Sequence, residues 1–350
     1  MKRIVKQVVG VDVAQEELVV RFGSMYDDWV PELGPSKAFE NTAKGFDELT
    51  VWVNKWSKPE ADVRYVMEAT GVYHENFAYF LDEHGYAVSI VLPSKISNYV
   101  RTLEKKTVTD STAAEAITRF GLERKLEQWS RPQGVYRKMR QLTRERSQLI
   151  ELKTICTNQL HAEQTEAQPG KKTIVRLKKR IELLNRQESE IQTELKELIN
   201  SDEKIKQLIA LLCSITGVGV LTASIVLGET NGFDLIRSKK QLTSYAGLDV
   251  KEKQSGTSVK GKPKISKRGN KYLRKAMHFP ALTAIRHDER YKAVYARLIS
   301  RHGIKMKAAV AVQRKILEMM FTVFSKKEKY DKTYLQNNTT NEQALSLKKD

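Results

Sequence analysis

The first 130 residues alternate between short β-branched runs and segments with helical spacing. The run IVKQVVGVDVA ends near an acid, and EELVVRFGS follows after a short turn, which predicts a β-hairpin. Further strands are predicted at VRYVMEATG and YAVSIVLP, which stop at a glycine and a proline. NTAKGFDELTVWVNKW and YHENFAYFLDEHG have the apolar spacing of amphipathic helices. The pattern predicts an α/β domain with a mixed sheet over residues 1–130.

The pattern changes after residue 130. Residues 131–202 are highly charged, with apolar residues three and four apart on both sides of the turn sequence EAQPGKK, which predicts an antiparallel coiled-coil arm. A plain helical spacer remains an alternative. Residues 203–325 predict a second globular domain, mainly α-helical, with glycine-rich turns. Residues 326–350 are polar, and we predict that this tail is disordered.

Composition excludes several classes of protein. Cys156 and Cys213 have no CxxC spacing and no partner histidines, so neither a disulfide framework nor a structural zinc site is expected. No segment approaches the roughly 18 apolar residues of a membrane span. The N-terminal apolar run is interrupted by Asp12 and is not followed by a signal-peptide cleavage site. We therefore predict a cytoplasmic protein that does not interact with a membrane.

The net charge of +19 is unevenly divided along the chain. Residues 1–130 contain 16 Lys and Arg against 20 Asp and Glu, whereas residues 131–350 contain 45 against 22. The strongly basic later part favours a polyanionic partner, and nucleic acid is the commonest one in a cytosol. A generally basic protein remains the alternative at this point.

Three carboxylates of the first domain are candidate metal ligands. Asp12 lies among apolar residues of the first predicted strand, and Glu68 ends another apolar strand. Asp110 precedes a predicted helix and could face the same sheet edge. Carboxylates that converge in this way bind Mg²⁺ or Mn²⁺, and such ions support phosphodiester chemistry. The ordinary alternative is that Asp110 or Thr112 caps the helix, with Thr112 and Glu115 as a capping box.

The segment 251–275 contains ten Lys or Arg residues and a single acid, Glu252. Such a flexible basic loop suits contacts to nucleic-acid phosphates, although a merely solvated loop is the alternative. We predict nucleic-acid binding by Lys251, Lys253, Lys260, Lys262, Lys264, Lys267, Arg268, Lys271 and Arg274.

The same segment offers three candidate nucleophiles, Ser255, Ser258 and Ser266. A serine hydroxyl needs a base or metal that takes its proton, and no histidine lies within the segment. Activation would have to come from elsewhere in the protein. Chemistry alone leaves the choice among the three open.

Several of these segments together resemble one protein family. GVDVAQ, MEATGVYH and TDSTAAEAITRFGLER resemble the RuvC-like domain of the DEDD transposases of the IS-one-ten insertion-sequence family, which also includes the Piv-type site-specific DNA invertases. ITGVGVLTASIVLGE, FDLIRSKKQLTSYAGLDVKEKQSGTS and KISKRGNKYLRKAMHFPA resemble its C-terminal transposase domain. The matching segments cover nearly the whole chain to about residue 325, in the family's order.

The resemblance implies an RNase H-like first domain, a helical arm and a transposase domain whose QSG motif carries the nucleophile, here Ser255. Family members recombine DNA through a covalent serine–DNA intermediate, and Mg²⁺-binding acids of one subunit complete the site around the serine of another. Many are directed by a structured noncoding bridge RNA. The implied partners are donor DNA, target DNA, the bridge RNA and further copies of the chain, as a dimer or tetramer at the bacterial nucleoid.

The chain departs from the family at one motif position. The family's third acid is followed three residues later by a fourth, and this sequence has Asp110 followed by Ala113. Since every neighbouring residue still matches, we interpret Ala113 as an introduced Asp→Ala replacement rather than as decay of the motif. Such a chain should have impaired strand cleavage with an intact fold.

Three other functions remain as alternatives to an insertion-sequence transposase. A Piv-type invertase has the same chemistry and differs in its DNA sites. A nucleic-acid-binding protein without chemistry would use the same folds as a scaffold. A RuvC-like junction nuclease would cut DNA without forming a covalent adduct.

Overall fold

The chain forms two structural units, Met1–Arg131 and Pro132–Asp350. The computed structural model describes residues 2–69, 71–103, 109–234, 236–252, 254–255, 259–260 and 264–332. No helix among these residues is long and apolar enough to cross a membrane.

A five-stranded sheet is the centre of the first unit. Its strands have the order β3-β2-β1-β4-β5. The first three strands are antiparallel, and β4 and β5 continue the sheet in parallel beside β1. The bounds are β1 (Ile4–Val13), β2 (Glu17–Tyr26), β3 (Pro31–Glu40), β4 (Val63–Glu68) and β5 (Ala87–Val91). The predicted hairpin and mixed sheet are confirmed, and this architecture fits an RNase H-like fold.

Helices cover both faces of the sheet. They are α1 (Ala43–Trp56), α2 (Glu75–Glu83), α3 (Pro93–Val100) and α4 (Asp110–Glu123). Side chains of a strand point alternately to opposite faces, so β1 contributes to two apolar clusters. Val9 and Val11 pack with Phe46 of α1 and Phe77 of α2. On the other face, Val8 packs with residues of α3 and α4.

Helix α4 lies unusually close to β1. A Cβ atom on Gly10 would be 2.4 Å from the backbone nitrogen of Thr118, and one on Gly121 would be 2.7 Å from a methyl group of Val8. Only glycine permits this approach of backbone to backbone. The ammonium group of Lys6 donates to the carbonyl oxygens of Gly121, Leu122 and Arg124 at the C-terminal end of α4. These contacts show that α4 runs antiparallel to β1, so its first turn lies near the end of β1.

The second unit is mainly helical. Its helices are α5 (Gly134–Thr165), α6 (Lys171–Asn200), α7 (Glu203–Cys213), α8 (Val220–Thr230), α9 (Lys239–Tyr245), α10 (Lys271–Ala276), α11 (His278–His287), α12 (Glu289–His302) and α13 (Lys305–Lys326). Four two-residue strands lie between α9 and α10: β6 (Val250–Lys251), β7 (Gln254–Ser255), β8 (Val259–Lys260) and β9 (Lys264–Ile265). They pair as β6 with β9 and β7 with β8.

Helices α5 and α6 form the long hairpin in the position of the predicted arm. Arg146 pairs with Glu188 at 2.7 Å across it. The root of the hairpin belongs to the main core of the second unit, since Met139 and Leu195 are buried in the same cluster as residues of α8 and α13. Further out, two residues of the predicted apolar seam, Leu152 and Ile155, are half exposed.

The prediction of a disordered tail from residue 326 is wrong for its first residues. The backbone N–H of Tyr330 donates to the Ser214 hydroxyl, and its own hydroxyl donates to Asp288 at 2.9 Å. The polar composition of the tail predicted disorder, whereas Tyr330 anchors its first residues. Residues 333–350 lie outside the described residues.

We predict that Gly10→Ala destabilises the first unit by about 1–3 kcal/mol, the usual range for overpacking. The added methyl group would overlap the backbone of α4 at Thr118, so the helix would have to move away from β1. Urea unfolding followed by tryptophan fluorescence measures this unit selectively, because all four tryptophans lie in it: Trp29, Trp52, Trp56 and Trp129.

The matched control is Gly34→Ala on β3 of the same unit, where the added methyl group would lie 3.4 Å from its nearest neighbour, a ring carbon of Phe22, which is an ordinary contact distance. An unchanged urea midpoint for Gly10→Ala would contradict the close packing of α4 on β1.

Candidate functional site

Asp12 and Glu68 lie at equivalent places on two neighbouring parallel strands. The register pairs Val11 of β1 with Met67 of β4, and each acid is the next residue on its strand. Both acids are half-buried. By the alternation of side chains, Asp12 shares the sheet face of Gly10, and Glu68 shares that of Val66. This is the face that α4 covers.

Asp110 is the first residue of α4 and does not cap it. The N-cap is Thr109, whose hydroxyl accepts from the backbone N–H of Thr112, while the Thr112 hydroxyl accepts from the backbone N–H of Thr109 at 2.7 Å. The sequence-based assignment of the cap to Asp110 or Thr112 is therefore wrong. So is the predicted capping box, because Glu115 pairs with Arg119 at 3.1 Å. The Asp110 carboxylate is therefore not the group that caps α4.

Asp12 is the acid whose titration this environment changes. Burial, with smaller contributions from the negative charges of Asp110 and Glu68, raises the pKa of Asp12 to about 6. A backbone hydrogen bond from Val13 opposes the shift. The structure thus brings Glu68 and Asp110 close enough to Asp12, at one edge of the sheet, to disfavour the ionised form of Asp12.

The three carboxylates are chemically suited to a hard divalent cation, but their oxygen atoms are not yet arranged around a common point. Carboxylate oxygens are the ligands that Mg²⁺ and Mn²⁺ prefer. Within the described part of the chain, no group of three His, Cys, Asp or Glu side chains is arranged closely enough to hold a metal ion. Ala113 lies one helical turn after Asp110, on the same side of α4, and is half-buried. A carboxylate at this position would join the three existing acids.

The predicted nucleic-acid-binding residues have different environments. Lys251 and Lys264 are exposed and directly opposite each other on β6 and β9. Like charges in such a pair repel, which favours a bound anion. Lys267, Arg268 and Lys271 are also exposed. The backbone of β7, which contains Ser255, pairs with that of β8, which contains Lys260. Lys253, Lys262 and Ser258 lie outside the described residues.

Arg274 has a structural contact instead of a free surface position. Its guanidinium group donates to the carbonyl oxygen of Ala246 at 2.8 Å, and the residue is half-buried on α10. Arg274 thus helps to hold the turn after α9, and its contact with nucleic acid stays a prediction. The segment 251–275 is not one continuous loop, because α10 begins at Lys271.

Residues 9–169 match the family model of the IS110 DEDD transposases, and residues 209–296 match the model described as "Transposase IS116/IS110/IS902 family". The pilin gene-inverting protein of Moraxella lacunata is 27% identical over 335 residues, covering 93% of this chain and 98% of that protein. The chain belongs to the IS110 family of transposases.

Other relatives of this IS110-family chain match over shorter segments or less closely. The transposase of insertion sequence IS1111A of Coxiella burnetii is 31% identical over 157 residues, which is 43% of this chain and 41% of that protein. The T. thermophilus RuvC structure with a Holliday junction substrate covers 35% of this chain and 99% of its own, at 10% identity and a TM-score of 0.27.

A buried carboxylate that sequence reasoning missed organises the transposase domain of this family member. The side chain of Glu229 on α8 is 1% exposed. It accepts two hydrogen bonds from Arg144 of α5, at 2.7 and 2.8 Å, and one from Asn270 at 2.6 Å. Asn270 also caps α10 through its side-chain oxygen. The sequence signal was an acid inside the otherwise apolar helix VLTASIVLGET.

The network holds both flanks of the basic segment. The Asn270 backbone N–H donates to the carbonyl oxygen of Tyr245, and the Tyr245 hydroxyl donates to that of Glu229. The Ser266 hydroxyl donates to Asp249 at 2.5 Å, which joins the residues before β6 and after β9. The segment that carries Ser255 is therefore anchored to α5, α8 and α10 at its base.

We predict that Asp12→Asn stabilises the first unit at pH 7.5 in the absence of divalent cations. Because folding raises the pKa of Asp12 from 3.8 to about 6, the ionised group opposes folding above pH 6. That penalty shrinks as the pH falls through 6 and is absent below about pH 4. The gain should be about 1–2 kcal/mol at pH 7.5, since solvent screening reduces the ~1.36 kcal/mol per pH unit.

Urea midpoints by tryptophan fluorescence at pH 7.5 and pH 4 measure the difference. Asp62→Asn, an exposed acid of the same unit, is the control and should change neither midpoint. Mg²⁺ should stabilise the unsubstituted chain more than Asp12→Asn. Destabilisation by Asp12→Asn at pH 7.5 without Mg²⁺ would show that the acids do not repel one another.

We predict that Arg144→Met destabilises the second unit by about 3–5 kcal/mol, because it leaves the buried Glu229 carboxylate without its cation. Glu229→Gln should be milder, since the Arg144 side chain is 41% exposed and reaches water. Adding Glu229→Gln to Arg144→Met should recover part of the loss. Urea unfolding followed by far-ultraviolet circular dichroism measures these effects.

Lys275→Met is the matched control, because Lys275 also joins α10 to α5 but pairs with an exposed partner, Glu151, at 3.1 Å. Its effect should stay below about 1 kcal/mol. If Arg144→Met costs no more than this control, the Glu229 network does not hold the unit together.

Proposed function

We propose that this IS110-family chain cuts and rejoins DNA strands through a covalent intermediate in which Ser255 is bonded to DNA. In the proposal, Asp12, Glu68 and Asp110 bind Mg²⁺ or Mn²⁺, and a structured bridge RNA selects the donor and target DNA. The chain acts as a dimer or tetramer in the bacterial cytoplasm, at the nucleoid. The observation that carries the proposal is the convergence of three acids at one sheet edge, within a chain that matches both family models in order.

The acids have the properties that a metal-assisted phosphoryl transfer requires. A divalent ion, when bound, supplies activation of the nucleophile and stabilisation of the leaving oxygen. Asp12 and Glu68 are held by neighbouring strands, and Asp110 by a capped helix, so their backbone positions are well defined. Burial and, to a smaller extent, the charges of Asp110 and Glu68 raise the pKa of Asp12, and a cation bound at the same place would offset both effects.

Ser255 acts as the nucleophile in the proposed reaction. Its hydroxyl loses a proton, the new Oγ–P bond forms, and one P–O bond of the DNA strand breaks, leaving a strand end whose oxygen takes up a proton. Lys251 and Lys264, exposed on the adjoining strands β6 and β9, would hold the phosphate and offset its charge. Attack of the free strand end on the serine ester then rejoins DNA and releases Ser255.

Ala113 reduces the proposed activity. The helix presents position 113 beside Asp110, and alanine offers no oxygen ligand there. Losing one of four carboxylates weakens cation affinity, while the packing of α4 rests on Gly10, Gly121 and Thr118 rather than on position 113. The chain would therefore bind nucleic acid normally and cleave it slowly.

A site-specific DNA invertase is the second candidate. The pilin gene-inverting proteins of Moraxella lacunata and Moraxella bovis match over 93% of this chain and 98% of their own lengths. An invertase would have the same acids and serine, and inverted recombination sites would flank a reversible DNA segment near its gene. Binding without chemistry and junction cleavage without an adduct are separated from both candidates by the experiment below.

We predict that Ala113→Asp increases formation of a covalent protein–DNA adduct at least tenfold, in a Mg²⁺-dependent manner, because it restores a carboxylate ligand. The assay uses labelled duplex DNA from the ends of the element and RNA transcribed from the same locus, with adducts resolved by denaturing electrophoresis. Adding Ser255→Ala to Ala113→Asp should abolish the adduct, and ribonuclease treatment before DNA addition should prevent it.

Each arm tests a separate part of the proposal. Ala113→Ser is the control, because it changes the same position without adding a carboxylate. Strand cutting without an adduct would identify a nuclease, and an adduct that persists in the Ser255→Ala chain would exclude this serine. Adduct formation that is insensitive to ribonuclease would refute guidance by RNA.

A further inference from the structure

Three cationic side chains from three different helices of the second unit line one small hollow. They are Lys239 of α9, Arg290 of α12 and Lys315 of α13, and Thr322 contributes a hydroxyl to the same wall. All three cationic residues are exposed. None of them belongs to the basic segment 251–275.

The size of the hollow limits what it can bind. Its volume is about 100 Å³, which is room for about three water molecules at ~30 Å³ each. Sites for cofactors and other small organic ligands are usually about 300–1,000 Å³. The hollow therefore suits a single compact anionic group and excludes a nucleobase or cofactor.

The acids near the hollow have other partners. Glu318, which also lines it, accepts from Arg314 at 3.0 Å. Asp288 is buried, and it accepts from the Tyr330 hydroxyl at 2.9 Å and from the Arg290 backbone N–H at 3.1 Å. Among the described residues, no ion pair includes Lys239, Arg290 or Lys315. The surroundings of the hollow thus carry excess positive charge.

Rigid packing holds the three cations in this arrangement. Each helix contributes fully buried residues to the main core of the unit: Leu242 from α9, Tyr291 from α12, and Ile316 and Met320 from α13. The Cα positions of the cationic residues are therefore set by core packing, and only their long side chains can adapt. Three cationic residues around one hollow attract an anionic group more strongly than a single surface cation does.

We infer that this hollow binds a backbone phosphate of duplex DNA. The inference rests on the proposed recombinase function and adds a contact point on α9, α12 and α13, outside the segment that carries Ser255. Lys and Arg side chains suit phosphate oxygens, whereas the Thr322 hydroxyl already donates to the backbone carbonyl of Glu318 at 2.8 Å. A contact of this kind positions DNA on the protein without reading its sequence.

The test compares two chains that carry the same change in net charge. The pocket variant combines Lys239→Gln, Arg290→Gln and Lys315→Gln. The control variant combines Lys204→Gln, Lys206→Gln and Lys292→Gln, three exposed cations of α7 and α12 that do not line the hollow. Binding of a fluorescently labelled random-sequence DNA duplex is measured by anisotropy at several salt concentrations, with single-stranded RNA as a second probe.

The pocket variant should bind duplex DNA on the order of tenfold more weakly at physiological salt. The plot of the logarithm of the DNA association constant against the logarithm of the salt concentration has a negative slope. The magnitude of that slope should decrease by about 0.9, the change expected for one lost phosphate contact. The control variant should lose less than about threefold. Circular dichroism during urea unfolding verifies that both variants fold.

Four outcomes would overturn the inference. Equal losses in the two variants would mean that only overall charge matters. If the pocket variant binds single-stranded RNA more weakly but duplex DNA normally, the hollow binds RNA instead of DNA. If the unsubstituted chain binds no DNA, the proposed function fails together with this inference, whereas normal binding by the pocket variant refutes the inference alone.

Discussion

The contact of α4 with β1 is the constraint on which the candidate site depends. Gly10 and Gly121 remove the side chains that would separate helix and strand, and the ammonium group of Lys6 fixes the helix at its C-terminal end. Because α4 runs antiparallel to β1, Asp110 at the start of the helix lies near the C-terminal end of the strand, where Asp12 is located. Residues with no chemistry of their own therefore determine whether the acids meet.

The acids at the sheet edge and the buried acid of the second unit have different surroundings. The first unit gathers Asp12, Glu68 and Asp110 at one edge, where burial and, to a smaller extent, the neighbouring charges disfavour the ionised form of Asp12. The second unit neutralises its buried acid, Glu229, with an arginine and an asparagine and leaves most of its cations on the surface. A buried network of this kind defines the position of the basic segment, while exposed lysines supply affinity for phosphate.

Sequence reasoning failed where long-range contacts override local pattern. The strand β3 was not predicted, because PELGPSKAFE contains two prolines and a glycine and shows little alternation; it forms at the edge of the sheet, where such residues are tolerated. The contact of Arg274 with the carbonyl oxygen of Ala246, 28 residues earlier, was likewise not visible in the local pattern. The cap of α4 is Thr109, which lies one residue before Asp110 and three before Thr112, the two predicted caps.

Apolar periodicity and charge are local properties of the chain, and they were enough to predict the α/β first unit, the long helical hairpin and the basic segment. Motif order was enough to indicate the family. Tertiary packing was needed to show that Glu68 and Asp110 lie near Asp12, that Arg144 pairs with the buried Glu229, and that Lys239, Arg290 and Lys315 line one hollow. These features depend on packing between residues far apart in the chain, which no local pattern encodes.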